Sequence, residues 1–391
     1  MTQILGPSFK LVEQIDVSEL AQAGGFGSRT RPLLVKGALR DWPAQQNWSF
    51  EKMAQLRNKD GSEPVRKFQN GLVEQGETQE RPSLPIAPYL RELAELAKEP
   101  VSEQTGLLPN QRRRLLQPGE EFHLNWAHMQ SFTPHRNYLA QWSILEDFPQ
   151  LRSDFDIRSL WPGWRWTWES VFMGPANTHT GLHRDVPNNW FCQARGVKEF
   201  VMFPPSEEAF MNPSSKYDWG ATLSTINIAR FDEHPEQLRA LEQAKGLYAR
   251  VEQGDALFIP KRTWHAVVSL APSISLAVFG LTAKEILLSG VPTATKDLLH
   301  NMHLYRWGTA SATNISRNRV LGLSEYRFTN RCRWPIFLQS SAGMSASGNC
   351  RHGASHFLLD ATAISVEMTA AYQSPSFARS CSRRAYIANA V

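Results

Sequence analysis

The chain has 391 residues, 42% hydrophobic and 20% charged, figures that fit a globular protein and exclude wholesale disorder or a fibrous repeat. No run approaches the roughly 20 apolar residues of a membrane-spanning helix. The net charge of +5 is unevenly placed: from Ala310 onward, nine arginines, no lysine and three acids give +6, leaving −1 for residues 1–309. The basic pI near 9.0 therefore does not indicate nucleic-acid binding by the main body. The opening MTQILGPSFKLVEQID lacks the basic and apolar texture of a secretory leader, and four cysteines are too few for a disulfide framework. A reducing, cytoplasmic setting is expected.

The N-terminal part reads as α/β elements. Arg31–Ala38 contains a short apolar strand closing on Gly37, with Asp41-Trp42-Pro43 as a turn. Phe50–Leu56 and Ala87–Ala97 carry apolar residues at helical spacing, and Pro88 sits where a first turn tolerates it. Residues 68–84 predict a loop or hairpin, and Arg112-Arg113-Arg114 a solvated loop. From about Tyr138 the texture becomes short β-type segments. Trp164-Arg165-Trp166-Thr167-Trp168 alternates with period two, placing three indoles on one face as packing residues. Val171–Pro175, Glu199–Pro205, Ala256–Pro260 and Ile274–Gly280 follow as strands ending on turn residues, the pattern of an antiparallel sandwich or barrel. Pro235–Ala244 predicts a helix between strands, and Thr293–Trp307 another, with His300 and His303 as surface or core residues.

The chemistry centres on Thr178–Asp185, THTGLHRD. On a strand, His183 and Asp185 project from one face. Two imidazoles and one carboxylate on a triangular face suit a divalent first-row metal and leave three positions open, as in non-haem Fe(II) oxygenases. The second histidine must come from elsewhere, and His265, after an apolar strand and a turn in GDALFIPKRTWH, is well placed. Lys198 lies in the otherwise largely apolar run VKEFVMF, where a buried ammonium calls for an anion, which a dicarboxylate cosubstrate would supply. Incidental roles are expected for Cys332, Cys350, Cys381, His352 and His356, whose spacing lacks a paired zinc signature. The same holds for His123 and His128, and a buried inert thiol is expected for Cys192. Serine-hydrolase, P-loop and dinucleotide fingerprints are absent.

The strings FMGPANTHTGLHRDVPNNWFCQARGVKEFVMFPPS and GDALFIPKRTWHAVVSLAPSISLAVFG, with the lead-in PLLVKGALRDWPA, resemble the JmjC-type (cupin-8-like) 2-oxoglutarate oxygenases. The group includes the asparaginyl hydroxylase that inhibits hypoxia-inducible factor and its bacterial relatives. The resemblance spans roughly residues 8–305. It implies a mainly β fold, a double-stranded β-helix (cupin-like jelly roll) with N-terminal α/β elements and flanking helices. The implied domain covers 8–308 with its jelly-roll core at about 138–285. Residues 309–391, an Arg/Ser/Ala-rich tail expected to be poorly ordered, would be an unrelated extension or a translated frameshift.

Carried over by position, the resemblance makes His183, Asp185 and His265 the catalytic iron ligands. Thr180, Lys198 and Tyr138 become contacts to 2-oxoglutarate, and Asn189 a polar position near the iron with Phe191 as a wall. Phe279 stands where the family pattern often has asparagine, so a polar contact to the cosubstrate or metal shell is lost. The implied cofactors are Fe(II), 2-oxoglutarate and O2, with decarboxylation to succinate and hydroxylation of a protein side chain. The implied partner is a protein or peptide substrate, with no membrane and with a homodimer allowed. The alternatives are an oxygenase of a small molecule, nucleoside or N-methyl group, and a metal-binding module without turnover.

Overall fold

The strand-rich texture after Tyr138 builds two facing sheets, and the N-terminal strands extend both of them. The computed structural model describes residues 6–22, 29–70, 72–73, 80–100, 107–108, 115–124, 126, 137–160, 166–215, 221–228 and 235–305. Residues Arg112–Arg114, His128, Trp164 and the 309–391 tail with its cysteines and histidines lie outside this set. In chain order the N-terminal strands are β1 (Ser8–Leu11), β2 (Glu13–Asp16), β3 (Leu33–Lys36), β4 (Val65–Asn70), β5 (Leu72–Val73), β6 (Glu80–Pro85) and β7 (Phe122–His123). There follow β8 (Asn137–Trp142), β9 (Trp166–Gly174), β10 (His179–Asp185), β11 (Asn188–Arg195) and β12 (Lys198–Phe203). The last five are β13 (Ala221–Leu223), β14 (Lys245–Val251), β15 (Ala256–Ile259), β16 (Trp264–Ser269) and β17 (Ser273–Leu281).

One sheet runs β13-β10-β16-β12-β14-β1-β7 with β5 paired to β10, and the other runs β2-β3-β15-β11-β17-β9-β8-β4-β6. Alternating strands between two facing, largely antiparallel sheets is the double-stranded β-helix architecture. The N-terminal lead-in is woven into it: β1 adds in parallel to β14, and β3 pairs antiparallel with β15.

Period-two alternation explains why three separate apolar clusters form. Phe200, Met202, Phe191, Leu257, Ile259 and Ala277 fill the space between the sheets. The opposite face of the second sheet, with Trp190, Cys192, Phe258 and Leu276, packs against helix Ile86–Leu96 through Ile86, Leu90 and Leu93. The outer face of the first sheet buries Phe9, Phe203, Tyr248 and Trp264. Strand β11 is covered on both sides, so seven of its eight residues are buried. At the turn from β11 to β12, Gly196 takes φ 76°, and a Cβ there would strike the carbonyl of Pro272, so only glycine fits.

The helices differ in extent from the spacing. Ile86–Leu96 agrees with it, whereas the second helix is only Phe50–Met53 and the inserted one stops at Leu241. The last helix runs Val291–Asn301, starting earlier because Pro292 sits in its first turn and ending before His303, which turns left-handed at φ 63°. His300 is buried there, its Nδ1 2.8 Å from the Tyr305 carbonyl. Within 68–84, the described residues place β4 antiparallel to β6, while β5 between them pairs parallel with β10. Among the described residues no helix is long and apolar enough to cross a membrane.

Candidate metal centre

Strands β10 and β16 are antiparallel neighbours whose register sets His183 directly against His265, with ring centroids 4.2 Å apart. A register shift between Thr180 and His183 re-aims this end of β10. Asp185 follows two residues later on the same face, held by the Arg262 amide, which donates to its carbonyl at 2.8 Å. Arg262 itself sits at φ 63°, in the tight turn that returns the chain to His265. Sequence spacing thus brings together three residues from two distant stretches. One ligand atom from each of His183, Asp185 and His265 lies within 4.8 Å of the others, and His265 Nε2 stands 3.9 Å from Asp185 Oδ2. Among the described residues this is the one group of three such donors.

Backbone carbonyls fix both imidazoles. His183 Nδ1 lies 2.8 Å from the Gly181 carbonyl and His265 Nδ1 3.0 Å from that of Thr263. A carbonyl only accepts, so each Nδ1 carries a proton and Nε2 is the ring nitrogen left to face a metal. Burial pushes His265 down to about 3, with the neighbouring His183 adding to the shift, so the ring is neutral. Burial raises the Asp185 carboxyl, partly opposed by His183. Two imidazole nitrogens and a carboxylate, crowded together, form a donor set that fits a divalent first-row metal.

Deeper between the sheets, Lys198 is 1% exposed. Its Nζ lies 5.2 Å from the ring centroid of Phe191 and 5.8 Å from those of Tyr138 and Phe172. Burial drives this ammonium down to about 7, while the three ring faces favour the charge. The Tyr138 hydroxyl shares a hydrogen bond with Thr180, and burial pushes its pKa up. Asn189 is buried on β11, its Oδ1 without a hydrogen-bond partner, and pairs in register with Phe279 on β17. Phe279 stacks on Trp168, centroids 5.6 Å apart at 21°.

Each site residue inferred from the sequence therefore lies on β8, β10, β11, β12 or β16. The Phe172 wall of the lysine cage and the stacking of Trp168 on Phe279 do not follow from the sequence reading, although Phe279 itself does stand out there as a departure. The signal was present: Trp168 and Phe172 lie four apart on one strand and share a face. Other candidates fall away from the centre. His123 contacts the Pro7 carbonyl on β7, and Cys192 is a buried free thiol whose pKa burial raises.

The Cupin-like domain family matches residues 24–279. Jumonji C domain-containing protein 5 of Drosophila melanogaster is 29% identical over 147 residues, 36% of this chain and 35% of its own length. tRNA wybutosine-synthesizing protein 4 of Aspergillus oryzae is 31% identical over 147 residues, 35% of this chain and 12% of that protein. Lysine-specific demethylase JMJ30 of Arabidopsis thaliana is 30% identical over 142 residues, 36% of this chain and 32% of its own length. The matched stretch thus spans only 12–35% of the length of these curated relatives. A family match across more than half of the chain, joined to a two-sheet fold with a His-Asp-His group between the sheets, gives the conclusion that the chain belongs to the cupin-like, JmjC-type family.

Proposed function

We propose that the chain is an Fe(II)- and 2-oxoglutarate-dependent oxygenase that hydroxylates a protein side chain. The observation that carries this reading is the convergence of two carbonyl-tethered imidazoles and one carboxylate within 4.8 Å. Lys198 in its aromatic cage supports it by offering a buried cation to an anionic cosubstrate. When bound, iron with 2-oxoglutarate and O2 supplies the oxidation that converts a C–H to a C–OH, releasing succinate and CO2.

The residues of this chain divide the remaining work. His183, Asp185 and His265 hold the metal on one face, and the Gly181 and Thr263 carbonyls keep each Nε2 aimed. Lys198 neutralises the far carboxylate of the cosubstrate, and Tyr138 and Thr180, already hydrogen-bonded to each other, orient it. Phe172, Phe191 and Phe200 keep that end of the cavity dry, which strengthens each of these polar contacts.

The test is aerobic incubation with Fe(II), 2-oxoglutarate and a cell extract, following succinate release and oxygen-added products by mass spectrometry. Turnover is expected to fall at least a hundredfold, on the order of the loss from removing a group essential to the reaction, in His183→Ala and Asp185→Ala. Oxygen added to a nucleoside or loss of an N-methyl group would move the substrate class. An absence of succinate above the metal-free background would leave a metal-binding module.

A further inference from the structure

The inner face of the second sheet carries a polar side chain that neither the metal ligands nor the lysine cage uses. Strand β9 pairs with β17 without a register break from Trp166 to Gly174, so side chains along it alternate strictly. Val171 and Met173 turn outward into the cluster around helix Ile86–Leu96, whereas Phe172 joins the layer between the sheets. Ser170, two residues before Phe172, shares that inward face and is 7% exposed. Contacts across the fold fix its level. Ser170 pairs sideways with Ala277, and Ala277 with Phe191. Phe191 packs edge-on against Phe200 of β12 at 4.9 Å, and the register of the first sheet carries Phe200 through Val267 to Thr180 of β10. Thr180 in turn bonds Tyr138 of β8, the strand beside β9.

Ser170 thus lies level with Thr180, one inward step from Phe172, whose ring stands 5.8 Å from Lys198 Nζ. Its sideways neighbour Ala277 projects only a methyl group, so the hydroxyl is not walled off from that space by a large side chain. Deeper on the same face, polar side chains satisfy one another: Ser275 Oγ donates to Gln193 Oε1 at 2.9 Å. The Ser170 hydroxyl makes no such bond to any described residue. A buried hydroxyl left without a partner costs stability, and a bound acceptor removes that cost. The nearby ammonium decides which kind of acceptor, because a cation and a hydroxyl donor turned towards one space suit a carboxylate. We propose that Ser170 is a further cosubstrate-binding residue, its hydroxyl donating to the far carboxylate of 2-oxoglutarate that Lys198 neutralises. This rests on the oxygenase reading and adds a contact to the same site.

The test uses the full chain loaded with Zn(II), which is redox-inert, so that binding is read apart from turnover. Calorimetric titration with 2-oxoglutarate is set beside titration with oxalate, which chelates the same metal but has no far carboxylate. Ser170→Ala is expected to weaken 2-oxoglutarate about tenfold, in the range of a hydrogen bond to a charged group, and to leave oxalate unchanged. Without cosubstrate the same variant is expected to unfold at a urea midpoint no lower than wild type, since the hydroxyl it removes has no partner in the fold. A merely structural serine would give the reverse, a lower midpoint with both ligands weakened alike. Unchanged 2-oxoglutarate affinity, an equal loss for the two ligands, or a midpoint that falls overturns the proposal. A failure of the wild-type chain to bind Zn(II) or 2-oxoglutarate would instead overturn the oxygenase reading, and this inference with it.

Discussion

Lys198 is the residue most at odds with its surroundings, a lysine 1% exposed and lowered to about 7 by burial. The unfolded chain, with lysine near 10.5, holds more protons than the folded chain between about pH 7 and 10.5. This group's contribution to stability therefore rises with pH across that window and is least favourable below it. The shift corresponds to at most about 5 kcal/mol against the charged form, reduced by the ring faces around it. Lys198→Met is thus expected to raise the urea midpoint of the cosubstrate-free protein at pH 6.5, with the gain shrinking towards pH 10. The same variant should lose stabilisation by 2-oxoglutarate. In the wild type, cosubstrate binding should take up close to one proton above pH 7, measurable by calorimetry in buffers of different ionisation enthalpy. A midpoint that falls at every pH would show that the ammonium supports the fold. The lysine was legible in the sequence because a charge inside VKEFVMF is chemically conspicuous. Its cage was not, since Tyr138, Phe172 and Phe191 come from three strands whose adjacency only the register reveals.

At the scale of elements, the site depends on how closely β8 and β9 approach. Gly174 ends β9 against the Tyr138 ring, and a Cβ there would lie 2.5 Å from Tyr138 Cδ2. Gly174→Ala should displace that ring, costing about 1–3 kcal/mol in urea unfolding. It should weaken 2-oxoglutarate binding while leaving metal affinity in place. Unchanged cosubstrate affinity would remove Tyr138 from the pocket. The turn before His265 has its own anchor. Glu285 accepts from Asn188 Nδ2 at 3.0 Å, from the Thr282 amide at 2.8 Å and from Lys261 Nζ at 2.8 Å, joining β11, the turn and the last helical segment. Burial raises this carboxyl, but the bonds from Lys261, Thr282 and Asn188 together hold it below its ordinary value. Glu285→Ala leaves the Asn188 amide buried without that acceptor, an expected loss of about 2 kcal/mol. In the wild type, the part owed to the charge is present above about pH 4.5 and fades as pH falls further. A denaturation midpoint within error of wild type would deny this clamp a structural role. The strands were legible because they are short apolar β-type runs, such as those buried throughout β12 and β15, whose ends carry Gly or Pro. The helix ends were not, because caps and left-handed residues such as His303 decide them rather than spacing.

For the whole molecule, the partition of charge separates two units of different character. Residues 24–279 carry the family match, and the described strands end at Leu281, whereas the +6 surplus falls after Ala310. The cupin-like unit is therefore proposed to be complete by Gly308, and a chain ending there is expected to keep its thermal midpoint. A loss of 1 kcal/mol would already appear as about 2–4 °C in a protein of this order of size. Both chains should gain equally from metal and 2-oxoglutarate, by about 2.7 kcal/mol at a hundredfold excess over Kd. Their polyanion behaviour should differ. Residues 1–309 carry −1, so the shortened chain should pass through a heparin column at low salt, while the full chain is retained and released as salt screens its arginines. Equal retention of the two would place the basic surface on the cupin-like unit itself. A midpoint several degrees lower in the short chain would instead show that residues beyond 308 pack against the sheets.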